Sequence, residues 1–217
     1  MARLPVGHQR LIRAVAVDID GWRLAEESQE RCWSRAAQTG QATWARVRTL
    51  FLLRHAKSSW ADPTLGDHDR PLAPRGRRAA RRIADHLRVQ AVRPQLVLCS
   101  SARRARETLA ELTPVLGDQV EVGVTEDLYG ANADEVLRRL REVSSDIASV
   151  MIVGHNPGMH DLALALTGDG DEAAISQLHT KFPTGALATL QLGQASWDEL
   201  TAGQAFLADL VLPRPPQ

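Results

Sequence analysis

Three stretches of this chain place basic, imidazole and hydroxyl groups directly after apolar runs. Leu50-Phe51-Leu52-Leu53 leads into Arg54-His55. Leu96-Val97-Leu98-Cys99 leads into Ser100-Ser101, with Arg103 and Arg104 close behind. Val150 to Val153 leads into Gly154-His155-Asn156-Pro157-Gly158. If the three runs are parallel neighbours in one sheet, two histidines and at least two arginines converge beyond their carboxyl ends, where open α/β sheets bind ligands. Such a set suits a phosphoryl group. Arginine forks hold its oxygens bidentately, and an imidazole can attack phosphorus and carry it covalently. In the third stretch Gly154 permits a tight bend, and Asn156 and Pro157 read as the N-cap and first residue of a helix. The positive end of that helix would face an anion, with His155 at its mouth.

The elements that must hold these groups follow a regular pattern from Thr49 onward. Each apolar run is short and continuous, as expected of a strand covered on both faces. "APRGRRAARRIADHL" predicts a helix, with Pro74 near its start and Ile83 and Leu87 one turn apart. "ARRARETLAEL" predicts a second helix, closed by Thr113-Pro114. "VEV" at 120–122 reads as a short strand. "NADEVLRRLREV" predicts an amphipathic helix capped by Asn132, and "MHDLALALTG" a helix ended by Gly168. "GALATLQL" and "AFLADLVL" read as late strands. Strands alternating with helices imply a three-layer α/β/α sandwich with a mostly parallel sheet. Residues 1–47 lack this alternation, hold Trp22, Trp33 and Trp44, and read as an N-terminal extension, with residues 48–217 as the domain.

Bulk properties narrow the function. Lysine plus arginine and aspartate plus glutamate both number 26 in the 217 residues, so the chain carries no net charge. A general nucleic-acid binder usually shows a basic excess. Two cysteines imply no disulfide framework. No apolar run approaches the roughly 18 residues that span a bilayer. The expectation is a cytoplasmic protein with no nucleic-acid or membrane partner. The run Arg75, Arg77, Arg78, Arg81, Arg82 reads as a solvated helix face, whose other use would be to draw a phosphorylated partner toward the site.

Rival chemistries fail on spacing. A cysteine phosphatase loop needs arginine six positions after the cysteine, and Cys99 meets Ala105 there. "VAVDIDGW" places Asp18 and Asp20 as in haloacid-dehalogenase-type phosphatases, but Trp22 stands where a threonine is expected, and no room remains for that domain. His155, His160 and Asp161 could suggest a metal, but Pro157 breaks the helical spacing of such a pair. His68, His86, His160 and His179 read as structural or exposed.

"LRHAKS", "SSARRARET" and "VGHNPG", in that order, resemble the histidine phosphatase superfamily, which includes phosphoglycerate mutases, and most closely its SixA-type phosphohistidine phosphatases. "DHDRPLAPRG" at 67–76 resembles the segment such proteins carry after the first motif. The resemblance covers about residues 49–212. It implies a phosphoglycerate mutase-like fold and a phosphohistidine intermediate. His55 would be the nucleophile, Arg54 and Arg104 the clamps on the phosphoryl oxygens, and His155 the group that stabilises the charge building up. Glu126 or Asp127, in "TEDLYG", falls where relatives place the general acid, and the spacing to Gly130 favours Glu126. Ser58 and Asn156 would add substrate contacts. No metal or organic cofactor enters this scheme. Ala56 replaces the glycine of an "RHG" motif, and Ala61 stands where mutase-like relatives often carry asparagine, which argues against a mutase. The substrate would be a phosphorylated protein or a small phosphorylated metabolite. Short connections around the site, and hence an open pocket, favour a protein phosphohistidine. A small-molecule phosphomonoesterase and a non-catalytic phospho-ligand binding module remain as alternatives.

Overall fold

The computed structural model describes residues 47–193 and 196–213. Residues 1–46 of the extension, with Asp18, Asp20 and Cys32, lie outside the described residues, as do residues 214–217. Among the described residues seven strands form one sheet: β1 Thr49–Arg54, β2 Leu96–Ser100, β3 Glu121–Thr125, β4 Ser149–Gly154, β5 Thr167–Gly170, β6 Leu187–Gln191 and β7 Ala205–Val211. Their spatial order is β3-β2-β4-β1-β6-β7-β5. The three strands predicted to be parallel neighbours are so, with β4 between β2 and β1. The late strand β6 runs antiparallel to β1 and to β7, while β5 pairs parallel to β7. The sheet is therefore mixed, and its parallel half carries the three motifs.

The continuous apolar run of β1 is explained by cover on both faces. Leu50 and Leu52 pack into one core with Ile152, Met159, Leu162 and Trp197. Phe51 and Leu53 point the other way, into a core with Ile83, Leu87 and Leu112. Burying each such side chain contributes about 1.5–3 kcal/mol, so the strand that ends in Arg54-His55 is firmly seated. The second core lies under helices α1 (Pro74–Val89) and α2 (Arg103–Leu116), and the first under α3 (Ala133–Arg141), α4 (Gly158–Leu166) and α5 (Glu172–Thr180).

Two helix ends differ from expectation. Helix α2 does not close at Thr113-Pro114 but continues to Leu116. Pro114 sits in the last turn and forfeits one ladder bond there, while Leu112 and Leu116 remain buried. The chain then leaves through Gly117 at φ 87°. Helix α4 begins at Gly158, not at Pro157, and Asn156 does not cap it; the Asn156–Pro157 peptide is cis. By contrast Asn132 caps α3 with a full capping box, its Oδ1 accepting from Glu135 N at 3.0 Å while Glu135 Oε2 accepts from Asn132 N at 2.8 Å.

β5 and α5 were not foreseen. Thr167-Gly-Asp-Gly170 has no apolar alternation, and it is a strand only because β7 supplies its partners. A Cβ at Gly168 would collide with the Gly203 carbonyl, so the close approach requires glycine.

Candidate active site

Strand register brings the motifs together. Arg54 lies opposite Gly154, and His55 N donates to Gly154 O at 3.0 Å, so His55 and His155 leave adjacent strands side by side. Their ring centroids are 4.9 Å apart. Ser100, at the end of β2, places its Oγ 2.8 Å from His155 Nε2. Arg104, in the first turn of α2, is buried beneath both rings. Its Nε donates to His55 Nε2 at 3.3 Å and its Nη2 to His155 Nδ1 at 3.4 Å.

These contacts assign the tautomers. A guanidinium only donates, so His55 Nε2 and His155 Nδ1 carry lone pairs. The protons then sit on His55 Nδ1, which donates to Ala56 O at 2.7 Å, and on His155 Nε2, which donates to Ser100 Oγ. Burial, reinforced by His155 and the neighbouring arginines, pushes His55 down to about 3. Burial and then Arg104 push His155 down to about 4. Both rings are neutral near pH 7, and His55 presents an unprotonated nitrogen beside a fixed positive charge.

Helix α2 also braces the loop after His55. Thr108 Oγ1 accepts from Ala56 N at 3.0 Å and donates to Arg104 O at 2.7 Å. Glu107 accepts from Leu72 N, Arg77 and Arg103, each at 2.8 Å. The charged run of the second motif therefore divides its labour. Arg104 faces the histidines, and Glu107 and Thr108 tie down the loop that carries them.

The other expected residues fall in distinct places. Arg54 Nη1 donates to Phe182 O at 2.7 Å, and its Nε is buried with no hydrogen-bond partner among the described residues. Asn156 Nδ2 donates to the same carbonyl at 2.9 Å, with its Oδ1 buried and unpartnered among the described residues. Ser58 is buried but its Oγ is taken by Arg70 at 2.5 Å. Glu126 and Asp127 lie exposed on the turn after β3, and neither side chain makes a hydrogen bond or ion pair among the described residues. His68 is not simply an exposed residue, since its Nε2 lies 2.9 Å from Ser101 Oγ and its ring meets Tyr129 edge-on.

The carboxylate that meets Arg104 beside the histidine pair is Asp67. Its Oδ2 accepts from Arg104 Nη2 and from Tyr129 Oη, each at 2.9 Å, and its Oδ1 from Arg70 at 2.6 Å. Partial burial opposes its ionisation, but the Tyr129 and Arg70 hydrogen bonds and the charge of Arg104 outweigh this and hold it at about 2. Tyr129 also stands edge-on to His155, with centroids 5.7 Å apart. Asp67 and Arg70 lie in the segment that resembles the family's stretch after the first motif, and neither is among the residues expected at the site. The only available signal was an acid three residues before an arginine in an otherwise polar loop. Among the described residues, no group of three or more His, Cys, Asp or Glu side chains is arranged to hold a metal ion. No described helix is long and apolar enough to cross a membrane.

An α/β sheet with paired neutral histidines and a buried arginine at the carboxyl edge of its parallel strands defines a class of phosphoryl-group enzymes. The family model for the histidine phosphatase superfamily, branch 1, matches residues 50–144. An uncharacterised protein of Mycobacterium leprae is 39% identical over 166 residues, covering 75% of this chain and 100% of its own length. A structure described as a candidate phosphohistidine phosphatase SixA from Nakamurella multipartitia is 33% identical with a TM-score of 0.67, over 77% of this chain and 96% of that one. A similarly described SixA from Agrobacterium tumefaciens is 31% identical with a TM-score of 0.63, over 76% and 99%. The chain belongs to the histidine phosphatase superfamily, and its fold is that of the phosphoglycerate mutase-like members. As an enzyme it is a phosphatase, a hydrolase.

Proposed function

We propose that the chain hydrolyses phosphohistidine on a protein through a phosphohistidine intermediate at His55. The observation that carries this reading is the protonation pattern of His55: Nδ1–H is anchored on Ala56 O, and the Nε2 lone pair lies against Arg104. His55 Nε2 attacks phosphorus in line as the P–N bond to the substrate imidazole breaks, and that imidazole takes up a proton. Water then attacks phosphorus, the bond to His55 breaks, and inorganic phosphate leaves. A loose phosphoryl transition state needs mainly positioning and positive charge. Arg104 supplies both, the unpartnered Arg54 Nε is a donor ready for a phosphoryl oxygen, and neutral His155 stands on the other side. Glu126 is the proposed proton donor. Asp67, held at about 2, carries no proton near neutral pH and serves instead to orient Arg104. Ser58, engaged by Arg70, supports the loop, and Asn156 positions Arg54 through their shared acceptor, Phe182 O. An imidazole leaving group depends less on a strong acid than an alkoxide does, which favours a phosphoramidate. The names of the two neighbours above 30% identity agree with that choice.

The test is hydrolysis of an aryl phosphate and of a histidine-phosphorylated protein, with chelator present, for wild type and His55→Ala. Turnover by wild type, loss by orders of magnitude in the variant, and a trapped phosphoenzyme only in wild type are expected. An active His55→Ala enzyme sinks the mechanism. Preference for a small phosphate monoester over the phosphoprotein overturns the substrate class alone.

A further inference from the structure

We propose that Arg75, Arg78 and Arg82 on α1 form a docking rail for an acidic segment flanking the phosphorylated residue of a protein substrate. This rests on the phosphoprotein reading above and deepens it. The three residues are spaced three and four apart, so they share one helix face. All are exposed, and none has a hydrogen bond or ion pair among the described residues. Their neighbours behave differently. Arg77 pairs with Glu107 and Arg81 with Glu111, each at 2.8 Å, and Arg88 lies 3.4 Å from Asp85. The chain as a whole is neutral, so a row of unpaired cations is a local field.

The first turn of the helix that carries this row packs against the loop after His55. Ala73 N donates to Lys57 O at 2.9 Å, two residues after His55, and a Cβ at Gly76 would collide with the same carbonyl. Glycine there lets the first turn of α1 seat against the catalytic loop. Arg77, in that turn, is tied to Glu107, three residues after Arg104. From Arg75 to Arg82 the helix rises about 10 Å, the reach of roughly three or four extended residues. A short acidic strand laid along α1 can therefore meet all three arginines. A single row in a neutral chain matches such a strand better than the broad polyanionic face of a membrane or a nucleic acid. Charges of this kind act on encounter and KM more than on the chemical step.

The experiment uses two synthetic phosphohistidine peptides with one core, followed by four glutamates or by four lysines, and an aryl phosphate as control. The enzymes are wild type and the Arg75→Ala/Arg78→Ala/Arg82→Ala triple variant, whose alanines suit an exposed helix. Wild type is expected to show about a tenfold higher kcat/KM for the acidic peptide at low salt, through KM, with the gap closing in high salt. The triple variant should lose the preference and keep its aryl phosphate activity. Equal kcat/KM on both peptides, or a preference that survives in the variant, overturns the rail. Should the aryl phosphate be hydrolysed but neither peptide, the phosphohistidine reading fails on its own. Fluorescence anisotropy of the unphosphorylated peptides then decides: acidic-peptide binding lost in the variant supports the rail, and unchanged binding overturns it. Binding of wild type to anionic phospholipid vesicles without peptide preference reassigns the stripe and also overturns the proposal.

Discussion

Arg104 Nε lies 3.3 Å from His55 Nε2, while Arg104 Nη2 reaches His155 Nδ1 at 3.4 Å. One planar fork therefore touches both histidines, and a lysine has no such fork. Arg104→Lys is expected to fold as wild type and to lose about 100-fold or more in kcat/KM toward an aryl phosphate. Steady-state kinetics together with a thermal melt check this. A drop below about threefold removes Arg104 from the transition state.

The depressed histidines set the pH response. With His55 at about 3 and His155 at about 4, both stay neutral down to mildly acidic pH. After correction for ionisation of the substrate, neither histidine should contribute a limb to kcat/KM between about pH 5.5 and 7. A limb with a midpoint near 6.5 means a nucleophile with an ordinary imidazole. Stability follows with the opposite reference. The unfolded chain takes up protons on these histidines below 6.5 and the folded chain does not, so stability falls as pH drops from 6.5 toward 3–4. The ceiling is about 1.4 kcal/mol per pH unit for each histidine. His55→Gln should melt with a shallower acid dependence than wild type.

Asp67 and Glu126 separate by kinetics. Asp67 holds Arg104 and brings a negative charge to the guanidinium proposed to bind the phosphoryl group. Asp67→Asn should lower the inhibition constant of inorganic phosphate several-fold and also lower kcat, because Arg104 is less restrained. If both constants stay unchanged, Asp67 has no part in positioning. Glu126→Gln should slow an alkyl phosphate far more than a phosphohistidine substrate, since only the alkoxide needs a strong acid. An equal effect on both argues for a different donor.

A second titratable pair lies away from the site. Asp209 Oδ2 on β7 is 3.7 Å from His86 Nε2 on α1. Burial, with a further push from Asp171 and against a backbone hydrogen bond at Leu210, raises Asp209 to about 6. Burial lowers His86 to about 4, so it offers little compensating charge near pH 7. A carboxyl raised in the folded state contributes stability below its unfolded value of 3.8 that is lost as pH rises through about 6. Asp209→Asn is therefore expected to raise the melting temperature at pH 8, by an increment that shrinks as pH falls through about 6 and vanishes only below about pH 3.8. A loss of stability at pH 8 contradicts it.

Much of the framework was legible in the sequence because burial leaves a local mark. Leu50–Leu53 is apolar at every position because both faces of β1 are covered, and the same holds for Val150–Val153 of β4. The amphipathic rows of α1 and α3 and the Asn132 capping box are likewise properties of neighbouring residues. β5 left no such mark, since its strand character is supplied by β7. Pro114 misled because the penalty for proline is local while the compensating burial of Leu116 is not.

The site divides along the same line. By itself the sequence determined which residues stand at the ends of β1, β2 and β4, and thus that two histidines and an arginine are available there. Only the tertiary structure decided which nitrogen of each histidine is free, which carboxylate meets Arg104, and where Arg54 and Asn156 turn. Those outcomes depend on partners distant in the chain, such as Asp67 with Arg104 across 37 residues and with Tyr129 across 62. Hydrogen-bond geometry and desolvation exist only once such residues are packed together, and no spacing along the chain encodes them.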